Sequence, residues 1–516
     1  MNLSVDADLL VSDPAELAAE TISPPRRLSS LDSSWRLAYI AVGTNLGDRH
    51  NNLQQACLFL QDLSNSIINT SFIYSTPAAY VTDQPAFYNI VVSLTTDLCP
   101  LDLLAALKRG EQELGRVPSE RWGPRHIDLD ILTYGVHPSC GNVETGLVMR
   151  TEELSIPHVR MFEREFVLRP LCDLDPGFLP DLEAIRDSWD PDVTRIIPLP
   201  NGRMLPYGNE TRLMGILNAT PDSFTDGGNL GDGTAEALRL VGEWVGDEGC
   251  PPKTGIENGE FTYSHAKISR NKWTAIVDVG GQSTRPGADV VGTEEEIKRV
   301  VPIISAIRER YTDIVISVDT SIASVAEAAI GAGADIINDV TAGRGDKAML
   351  QLAARLQVPI VLMHSRGTSK TMNSQNDYSK ETGLIDGVYR ELCRTVQSAS
   401  NAGVRKWNII LDPGVGFAKI GVQNVELMRA LPQLFSGKLE GYAVLVGPSR
   451  KRFLGTIAGH SKETDPTERD WGTAAAVTQC VNAKVDFVRV HNVSAMTDVV
   501  ANANAFLREL PIVEAD

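Results

Sequence analysis

The sequence lacks several features that would assign it to a protein class at once. Its seven cysteines are scattered over 516 residues, and no two of them form a CxxC pair. This spacing argues against a disulfide framework and against a zinc site, and it is typical of reduced thiols in a cytosol-like compartment. No apolar run approaches the ~20 residues of a transmembrane helix, so no membrane partner is expected.

Excess positive charge and the most familiar ATP-binding motif are also missing. The formal net charge of −18 argues against a general nucleic-acid-binding protein, although single basic sites can still bind phosphates. The chain has no GxxxxGK[ST] motif, so any ATP site is not a P-loop. What remains is an ordinary globular composition, 43% hydrophobic and 22% charged, over a length that predicts two or three domains.

Residues 1–36 differ in composition from the rest of the chain. They are rich in Asp, Ser, Pro and Ala, which predicts a disordered N-terminal lead-in. Acidic residues outnumber basic ones there, unlike in a transit peptide, and there is no apolar core of a signal peptide. We therefore expect a cytoplasmic protein, with a mitochondrial location left open.

Residues 37–182 are predicted to form an α+β domain. Strands are expected at Leu37–Val42, Ile67–Tyr74, Ile90–Leu94 and around Leu129–Leu132, and helices at Asn51–Leu63 and Leu101–Leu114. The predicted order of elements is strand, helix, strand, strand, helix, strand. This is the split βαβ, ferredoxin-like order. A proline-containing linker, residues 183–211, is expected to follow.

Residues 212–510 are predicted to form an α/β domain, because short apolar runs alternate there with helix-like segments. The eight runs are Leu213–Asn218, Ala275–Gly280, Ile314–Asp319, Ala334–Asp339, Val358–His364, Trp407–Asp412, Tyr442–Gly447 and Asp486–His491. Eight such units predict a (β/α)8 TIM barrel, with a doubly wound open sheet as the alternative. Nearly every run ends in a polar residue, at the end where barrels carry their active sites. Residues 250–271 lengthen the first connection and are interpreted as a surface insertion.

Two carboxylates on one predicted strand are the candidate centre of the first domain. Asp128 and Asp130 are two residues apart, so both face the same side of the strand. Two such carboxylates repel unless a cation lies between them, and Mg²⁺ with nucleotide phosphates is a usual solution. Arg116, Arg121 and Arg125 lie just upstream and are suited to phosphate oxygens. The alternative is a solvent-facing strand with ordinary surface charges.

These residues belong to longer motifs that resemble a known enzyme family. Residues 38–180 are similar to 6-hydroxymethyl-7,8-dihydropterin pyrophosphokinase in AYIAVGTNLGDR, DQPAFYN, RWGPRHIDLDIL and IPHVRMFEREFVLRPL. The resemblance implies transfer of a pyrophosphoryl group from ATP, the co-substrate, to the hydroxymethyl group of the pterin. Asp128 and Asp130 would be ligands of Mg²⁺, and Arg116 and Arg125 would be catalytic.

The same resemblance implies the substrate contacts of the first domain. Glu111, Arg121 and His158 would border ATP. Trp122 and Phe166 would stack on the pterin, and Asn89 would hydrogen-bond its edge. Core packing is the alternative for the aromatic side chains, and it is favoured for Phe166 taken alone.

Residues 212–510 resemble dihydropteroate synthase along the whole predicted barrel. The motifs NATPDSFTDGG, DVGGQSTRPGA, SVDTS, INDVTAG, VLMH, LDPGVGFAK, VGPSRKRF and VRVHNV each lie at the end of a predicted strand. The resemblance implies that 6-hydroxymethyl-7,8-dihydropterin diphosphate is joined to p-aminobenzoate, giving 7,8-dihydropteroate and pyrophosphate. In the family, pyrophosphate leaves first and the aniline nitrogen attacks a cationic pterin.

The barrel residues suit three tasks in that reaction. A flat neutral pterin requires buried polar groups and apolar ring contacts, for which the candidates are Asp319, Asn338, Asp412, Lys451, Met363 and Phe417. A leaving pyrophosphate requires positive charge and hydrogen-bond donors, which the resemblance assigns to Thr284, Arg285, Arg489 and His491, with Asn218 as a Mg²⁺ ligand. Loops over the site would form the p-aminobenzoate pocket, with Phe224, Asp226 and Ser283 among its walls. Lys451, Arg285 and Asp226 are the residues expected to act in catalysis.

Single residues also have structural interpretations. Asp319 and Asp339 could be helix caps, and His364 could be a core histidine whose ring nitrogens are both hydrogen-bonded. The favoured hypothesis is a bifunctional folate-synthesis enzyme that forms a homodimer through the barrel, with Thr467–Val481 and Ser494–Leu507 as candidate interface helices. The alternatives are one active domain, or a barrel that serves as an assembly scaffold.

Overall fold

The computed structural model describes most of the chain between residues 36 and 508. The described ranges are 36–66, 68–79, 81–117, 120, 122–135, 146–178, 190–219, 233–246, 274–282, 291–368, 370–461 and 463–508. The predicted lead-in, apart from Arg36, and the predicted insertion at 250–271 lie outside these ranges.

The first domain is an antiparallel sheet with helices packed against it. Its first elements are β1 (Arg36–Thr44), α1 (Arg49–Asp62), β2 (Asn69–Thr70), β3 (Ile73–Thr76), β4 (Phe87–Thr96), α2 (Pro100–Glu113) and β5 (Asp128–Gly135). The main strands lie in the order β5–β1–β4–β3, with β4 inserted between β1 and β3, as in a split βαβ unit. The ferredoxin-like prediction is therefore confirmed. Two short strands, β6 (Met149–Arg150) and β7 (Ser155–Ile156), and α3 (Glu165–Cys172) follow.

A hairpin inside the predicted linker joins the two domains. Its strands are β8 (Thr194–Pro198) and β9 (Met204–Tyr207), and β8 pairs with β3 of the first sheet. Ile197, Leu199 and Leu205 of the hairpin pack among residues such as Met214 and Ile276 near the beginnings of the barrel strands. Residues 194–207 are thus not a simple connector, because they complete the first sheet and close the floor of the barrel.

The second domain is a closed parallel barrel. Its strands are β10 (Arg212–Asn218), β11 (Thr274–Gly280), β12 (Val315–Asp319), β13 (Ile336–Asp339), β14 (Ile360–Met363), β15 (Ile409–Asp412), β16 (Ala443–Val446) and β17 (Phe487–Val490). Each strand pairs with the next, and β17 pairs with β10. The eightfold barrel prediction is confirmed, and the predicted strand ends agree with the observed ones to within two residues.

Helices cover the outside of the barrel. In the described residues they are α4 (Gly233–Val245), α5 (Thr293–Arg310), α6 (Ala323–Gly331), α7 (Met349–Leu356), α8 (Leu384–Asn401), α9 (Val422–Arg429), α10 (Leu431–Leu434), α11 (Arg452–Ile457), α12 (Asp470–Asn482) and α13 (Val493–Leu507). Apolar strand and helix residues form one large core between the two layers, as in other α/β barrels. None of the helices in the described ranges is long and apolar enough to cross a membrane.

Candidate active sites

A cavity of about 440 Å³ in the first domain contains most of the residues predicted there. It lies against β1, β4 and β5 and is closed by the segment that leads into α3. The predicted residues that line it are Asn89, Trp122, Arg125, Asp128, Asp130, His158 and Phe166. Residues from five separate parts of the sequence thus meet in one cavity.

Asp128 lies between two arginines at the beginning of β5. One oxygen accepts a hydrogen bond from Arg116 at 2.7 Å, and the other accepts one from Arg125 at 2.6 Å. Charge-assisted bonds of this kind are strong and hold the guanidinium groups in place. Both predicted catalytic arginines therefore lie beside the first carboxylate.

Asp130 is the second carboxylate of the cavity, and its side chain is partly exposed. Burial, and then the charge of Asp128, raise the pKa of Asp130 above its ordinary value. Lys108 Nζ lies 3.9 Å from an Asp130 oxygen, and burial lowers the pKa of the nearby His158. A divalent cation would relieve the repulsion between the two carboxylates, so the donor set fits Mg²⁺.

The described residues contain no group of three or more His, Cys, Asp and Glu side chains that could hold a metal ion. Two carboxylates are nevertheless enough for Mg²⁺ when substrate phosphates and water complete its six ligands. The site therefore fits a metal that arrives with a nucleotide.

Glu111 is not part of the cavity wall. It is buried on α2, and one of its oxygens accepts hydrogen bonds from the Leu129 backbone at 2.8 Å and from Lys108 at 2.8 Å. The same oxygen lies 2.5 Å from Arg116. These contacts indicate a residue that positions Arg116, whereas the resemblance implied a residue bordering ATP.

Aromatic and cationic side chains form another wall of the cavity. Arg160 and Arg164 lie 5.1 Å and 5.9 Å from the centre of the Trp122 ring, and Arg164 also lies 5.6 Å from that of Phe166. Such stacking holds ring planes in place and brings positive charge to the cavity. The sequence analysis did not single out the two arginines, although both belong to the motif IPHVRMFEREFVLRPL.

Asn89 extends the cavity wall from the middle of the sheet. Its amide nitrogen donates a hydrogen bond to the Thr76 hydroxyl at 2.7 Å. A Cβ at position 43 would lie 2.9 Å from its amide oxygen, so Gly43 leaves the room that Asn89 needs. Asn89 is therefore held with its amide at the cavity surface.

An ion-pair cluster occupies the C-terminal end of the barrel. Arg489 donates from Nε to Asp278 at 2.6 Å and from Nη2 to Asp319 at 2.6 Å. Asn338 donates to the same Asp278 oxygen at 3.0 Å. Arg489 of β17 thus links Asp319 of β12 to Asp278 of β11, and Asp278 also binds Asn338 of β13. Asp278 is not among the predicted site residues.

Two carboxylate oxygens of this ion-pair cluster can still accept hydrogen bonds. The second carboxylate oxygens of Asp278 and Asp319 are buried and have no hydrogen-bond partner among the described residues. Burial, and the neighbouring Asp278, raise the pKa of Asp319 to about 7 despite the attraction of Arg489. Buried polar groups are normally satisfied, so these oxygens are available to a ligand with hydrogen-bond donors.

A second group of predicted residues lies on neighbouring strands. Asp412 accepts a hydrogen bond from the Gly414 backbone at 2.7 Å, and burial raises the pKa of Asp412 to about 6. Burial lowers the pKa of Lys451 to about 8, and its ammonium group lies 4.3 Å from the centre of the Phe417 ring. Met363, buried at the end of β14, pairs in register with Asp412.

The remaining described barrel residues lie at the rim. His491 Nδ1 is 2.9 Å from the Ser449 hydroxyl, and Asn218 ends β10 beside Gly280.

His364 is buried, and each of its ring nitrogens has a polar partner, so the interpretation as a hydrogen-bonded core histidine is confirmed. Asp339 accepts hydrogen bonds from the backbone of Thr341 and Gly343 in the turn that follows it. The next helix begins only at Met349, so the helix-cap interpretation of Asp339 is wrong. The predicted residues Arg121, Phe224, Asp226, Ser283, Thr284 and Arg285 lie outside the described residues.

Comparisons with known proteins match both domains of the chain. The family model of 7,8-dihydro-6-hydroxymethylpterin-pyrophosphokinase matches residues 39–176, and that of pterin binding enzymes matches residues 256–491. The folic acid synthesis protein fol1 of Schizosaccharomyces pombe is 40% identical over 92% of this chain and 60% of that protein. The mitochondrial folate synthesis bifunctional protein of Pisum sativum is 36% identical over 91% of this chain and 89% of that protein.

One solved structure shows that the fold is shared over nearly the whole chain. The Plasmodium falciparum HPPK-DHPS with pteroate has a TM-score of 0.65 and 19% identity, and the match covers 92% of this chain and 98% of that chain. The chain spans about three fifths of the length of the first two curated relatives it matches.

Proposed function

Because the chain belongs to the family of bifunctional folate synthesis proteins, we propose that it catalyses two consecutive reactions of folate synthesis. The first is ATP-dependent pyrophosphorylation of 6-hydroxymethyl-7,8-dihydropterin, in the domain of residues 37–182. The second is condensation of the product with p-aminobenzoate, in the barrel of residues 212–510. One observation carries the proposal: a single chain holds both a paired-carboxylate cavity with flanking arginines and an acid–arginine cluster at the barrel mouth.

In the first reaction the pterin hydroxyl oxygen forms a bond to the β-phosphorus of ATP. The bond from that phosphorus to the oxygen bridging the α-phosphate breaks, and AMP leaves. Mg²⁺ held by Asp128 and Asp130 would neutralise phosphate charge. Arg116 and Arg125 lie where they can bind the same phosphates, and the Trp122–Phe166 wall is suited to stacking on the pterin ring. The protein's task is mainly to position the reactants.

In the second reaction the bond between the pterin methylene carbon and the diphosphate oxygen breaks. A bond forms between that carbon and the amino nitrogen of p-aminobenzoate, which then loses a proton. Arg489 and His491 would receive the pyrophosphate charge. Asp319, Asn338, Asp412 and Lys451 supply buried polar groups for the pterin edge, and Met363 and Phe417 supply apolar contact. Asn218 would offer an amide oxygen to Mg²⁺ at the rim. Thr284 and Arg285 would contact the pyrophosphate, and Ser283, Phe224 and Asp226 would line the p-aminobenzoate pocket.

A coupled assay tests the proposal. The full chain is incubated with ATP, Mg²⁺, 6-hydroxymethyl-7,8-dihydropterin and p-aminobenzoate, and AMP and dihydropteroate are measured. We expect both products. Formation of AMP without dihydropteroate would leave only the first activity, and dihydropteroate formed only from supplied pterin diphosphate would leave only the second.

We also propose that the chain forms a homodimer through the barrel. Trp471 at the beginning of α12 is 88% exposed, and Phe506 near the end of α13 is 76% exposed, although both are large and apolar. The two helices pack against each other on the outside of the barrel. Sedimentation of the parent and of Trp471→Glu tests this, because the variant should be monomeric.

We place the chain in the cytosol, with the mitochondrial matrix as the alternative compartment. Among the described residues Cys57, Cys99, Cys393 and Cys480 are free thiols, as expected in a reducing environment. Imaging of the tagged full-length protein would decide between the two compartments.

A further inference from the structure

Lys419 is a buried charged residue to which the proposed reaction gives no task. It follows β15 in the motif LDPGVGFAK, and only 3% of it is exposed. Its ammonium group donates to the backbone oxygens of Gly414 at 3.1 Å and Phe417 at 3.0 Å, and it lies 2.9 Å from His364 Nδ1. Burying a lysine is costly, so a group held in this way requires an explanation.

The contact with His364 continues as a buried polar chain. Burial lowers the pKa of Lys419 to about 7, and in its protonated form the side chain can only donate. Nδ1 of His364 then accepts from Lys419, and the ring proton lies on Nε2, which is 2.9 Å from Glu391. Arg366 donates to Glu391 from Nε at 3.0 Å. Burial, and then the charge of Lys419, lower the pKa of His364 to about 3, so the ring stays neutral. This series of polar contacts connects Lys419 to α8, which carries Glu391.

The loop that Lys419 holds has an unusual backbone. Gly414, Gly416 and Ala418 have φ values of +68°, +77° and +50°. A Cβ at position 414 would lie 1.9 Å from the His364 carbonyl oxygen, so the loop touches the end of β14. This path turns the carbonyl groups of Gly414 and Phe417 inward to the Lys419 ammonium group, which is the centre of the loop.

The loop also carries groups of the barrel site. Phe417 lies 4.3 Å from Lys451 Nζ, and the Gly414 backbone donates to Asp412. Without the ammonium group, two buried carbonyl groups would lose their partner, and the loop would relax. A relaxed loop would displace both the Phe417 ring and the Asp412 carboxylate.

We propose that Lys419 is a positioning residue of the barrel site, which fixes residues 412–417 so that Asp412 and Phe417 meet a planar pterin together. This inference rests on the proposed second reaction, because it assumes that the pterin binds at this end of the barrel. The lysine itself does not touch the pterin. Its effect is therefore on pterin affinity, and not on p-aminobenzoate or on the first domain.

Steady-state kinetics of the full chain test this role. Lys419→Met removes the amino group while keeping the length of the side chain. The variant should raise the KM for pterin diphosphate about tenfold, because a change of this size corresponds to the loss of one or two buried hydrogen bonds. The KM for p-aminobenzoate and the rate of AMP formation should change less than twofold. Lys419→Arg, which keeps donors and charge, should recover part of the loss.

A matched control separates positioning from general destabilisation. Lys406 is another lysine that is partly buried, and its ammonium group donates to the Asp173 backbone at the boundary with the first domain. Burial lowers the pKa of Lys406 as well. Lys406→Met should lower the thermal stability but leave the KM for pterin diphosphate unchanged. Equal KM values for parent and Lys419→Met, or an equal rise in Lys406→Met, would overturn the inference.

Equilibrium binding provides a measurement that does not depend on turnover. Calorimetric titration of the full chain with pteroate should show about tenfold weaker binding for Lys419→Met than for the parent. Absence of dihydropteroate from the parent would count against the proposed reaction, whereas equal pteroate binding by parent and variant would count against Lys419. Glu391→Gln, at the half-buried end of the chain, should weaken binding two- to threefold, and unchanged binding there would contradict the role of the polar chain.

Discussion

Asp130 is one of the two carboxylates of the first domain that are proposed to bind Mg²⁺. It lies beside a second carboxylate in the cavity wall, and its raised pKa reflects both partial loss of solvent and repulsion from Asp128. Asp130→Asn should reduce AMP formation on the order of 100-fold or more, because a bound metal contributes several kcal/mol to charge stabilisation. The same variant should form dihydropteroate from supplied pterin diphosphate at the parental rate. Parental AMP formation would contradict the assignment.

Asp278 is the residue that sequence reasoning missed in the barrel. A carboxylate at a strand end is common and often caps a helix, so the motif DVGGQSTRPGA alone gives no reason to select it. Only the closed barrel shows that Asp278 joins Arg489 and Asn338. Asp319 and Asn338 could be selected from their motifs, and the structure brings both into the cluster with Arg489 and Asp278. Their roles stay predictions, and a residue such as Asp278 that acts through another leaves no signal of its own.

Asp278→Asn should therefore lower kcat/KM for pterin diphosphate about 100-fold. The substitution keeps the shape of the side chain but weakens the bond that holds Arg489, and bonds to charged groups are worth about 1.5–3 kcal/mol. Ser317→Ala is the matched control, because Ser317 lies beside Asp278 in the register and its buried hydroxyl has no partner among the described residues. The control should stay within about twofold of the parent, and a similar loss in both variants would refute the special role of Asp278.

Asp486 supplies a test of pH dependence away from both sites. Its two oxygens accept hydrogen bonds from the Gly208 and Val444 backbones, and burial raises its pKa from 3.8 to about 6. The folded chain thus holds this proton more tightly than the unfolded chain. Its contribution to the unfolding free energy is greatest below about pH 4 and falls until about pH 6.

The difference in unfolding free energy between the parent and Asp486→Asn isolates this one group. It should shrink by up to about 3 kcal/mol between pH 4 and pH 6 and stay constant above that range. Denaturant titrations of both proteins at several pH values measure it. A difference that does not change with pH would show that Asp486 has an ordinary pKa in the folded chain.

The hairpin β8–β9 is the element that sequence reasoning interpreted least well. The barrel strands could be predicted because each is a continuous apolar run bounded by turn residues. The hairpin contains Pro198 and Pro206, which argue against a strand in the sequence. In the structure β9 is an edge strand, where a missing backbone donor is tolerated.

Leu205→Ala tests whether the hairpin contributes to the core of the barrel. Leu205 is buried among the residues at the barrel floor, so its truncation should lower the unfolding free energy by about 2–5 kcal/mol. Val422→Ala, at a 75% exposed position on α9, should change it by less than about 0.5 kcal/mol. If the two variants were equally stable, residues 194–207 would be only a connector.

Across the whole molecule, one buried cluster joins the two domains. Asp173 at the end of α3 accepts hydrogen bonds from Tyr74 and, at 3.0 Å, from Arg195 of the hairpin. Lys406 of the barrel donates to the Asp173 backbone and lies 4.4 Å from the Phe72 ring. These contacts include the ion pair between Arg195 and Asp173, which has little access to water. Loss of either residue would therefore leave the other charge without compensation. We expect the two domains to unfold together.

Arg195→Met should separate the two unfolding transitions. The substitution leaves the buried Asp173 carboxylate without its cation, which typically costs about 3–5 kcal/mol, and the loss falls on the boundary between the domains. The first activity should then be lost at a lower temperature than the second, and calorimetry should show two transitions where the parent shows one. Arg355→Met removes an exposed ion pair with Glu327 and should change neither temperature. If Arg195→Met lost both activities at the parental temperature, the cluster would not be what couples the domains.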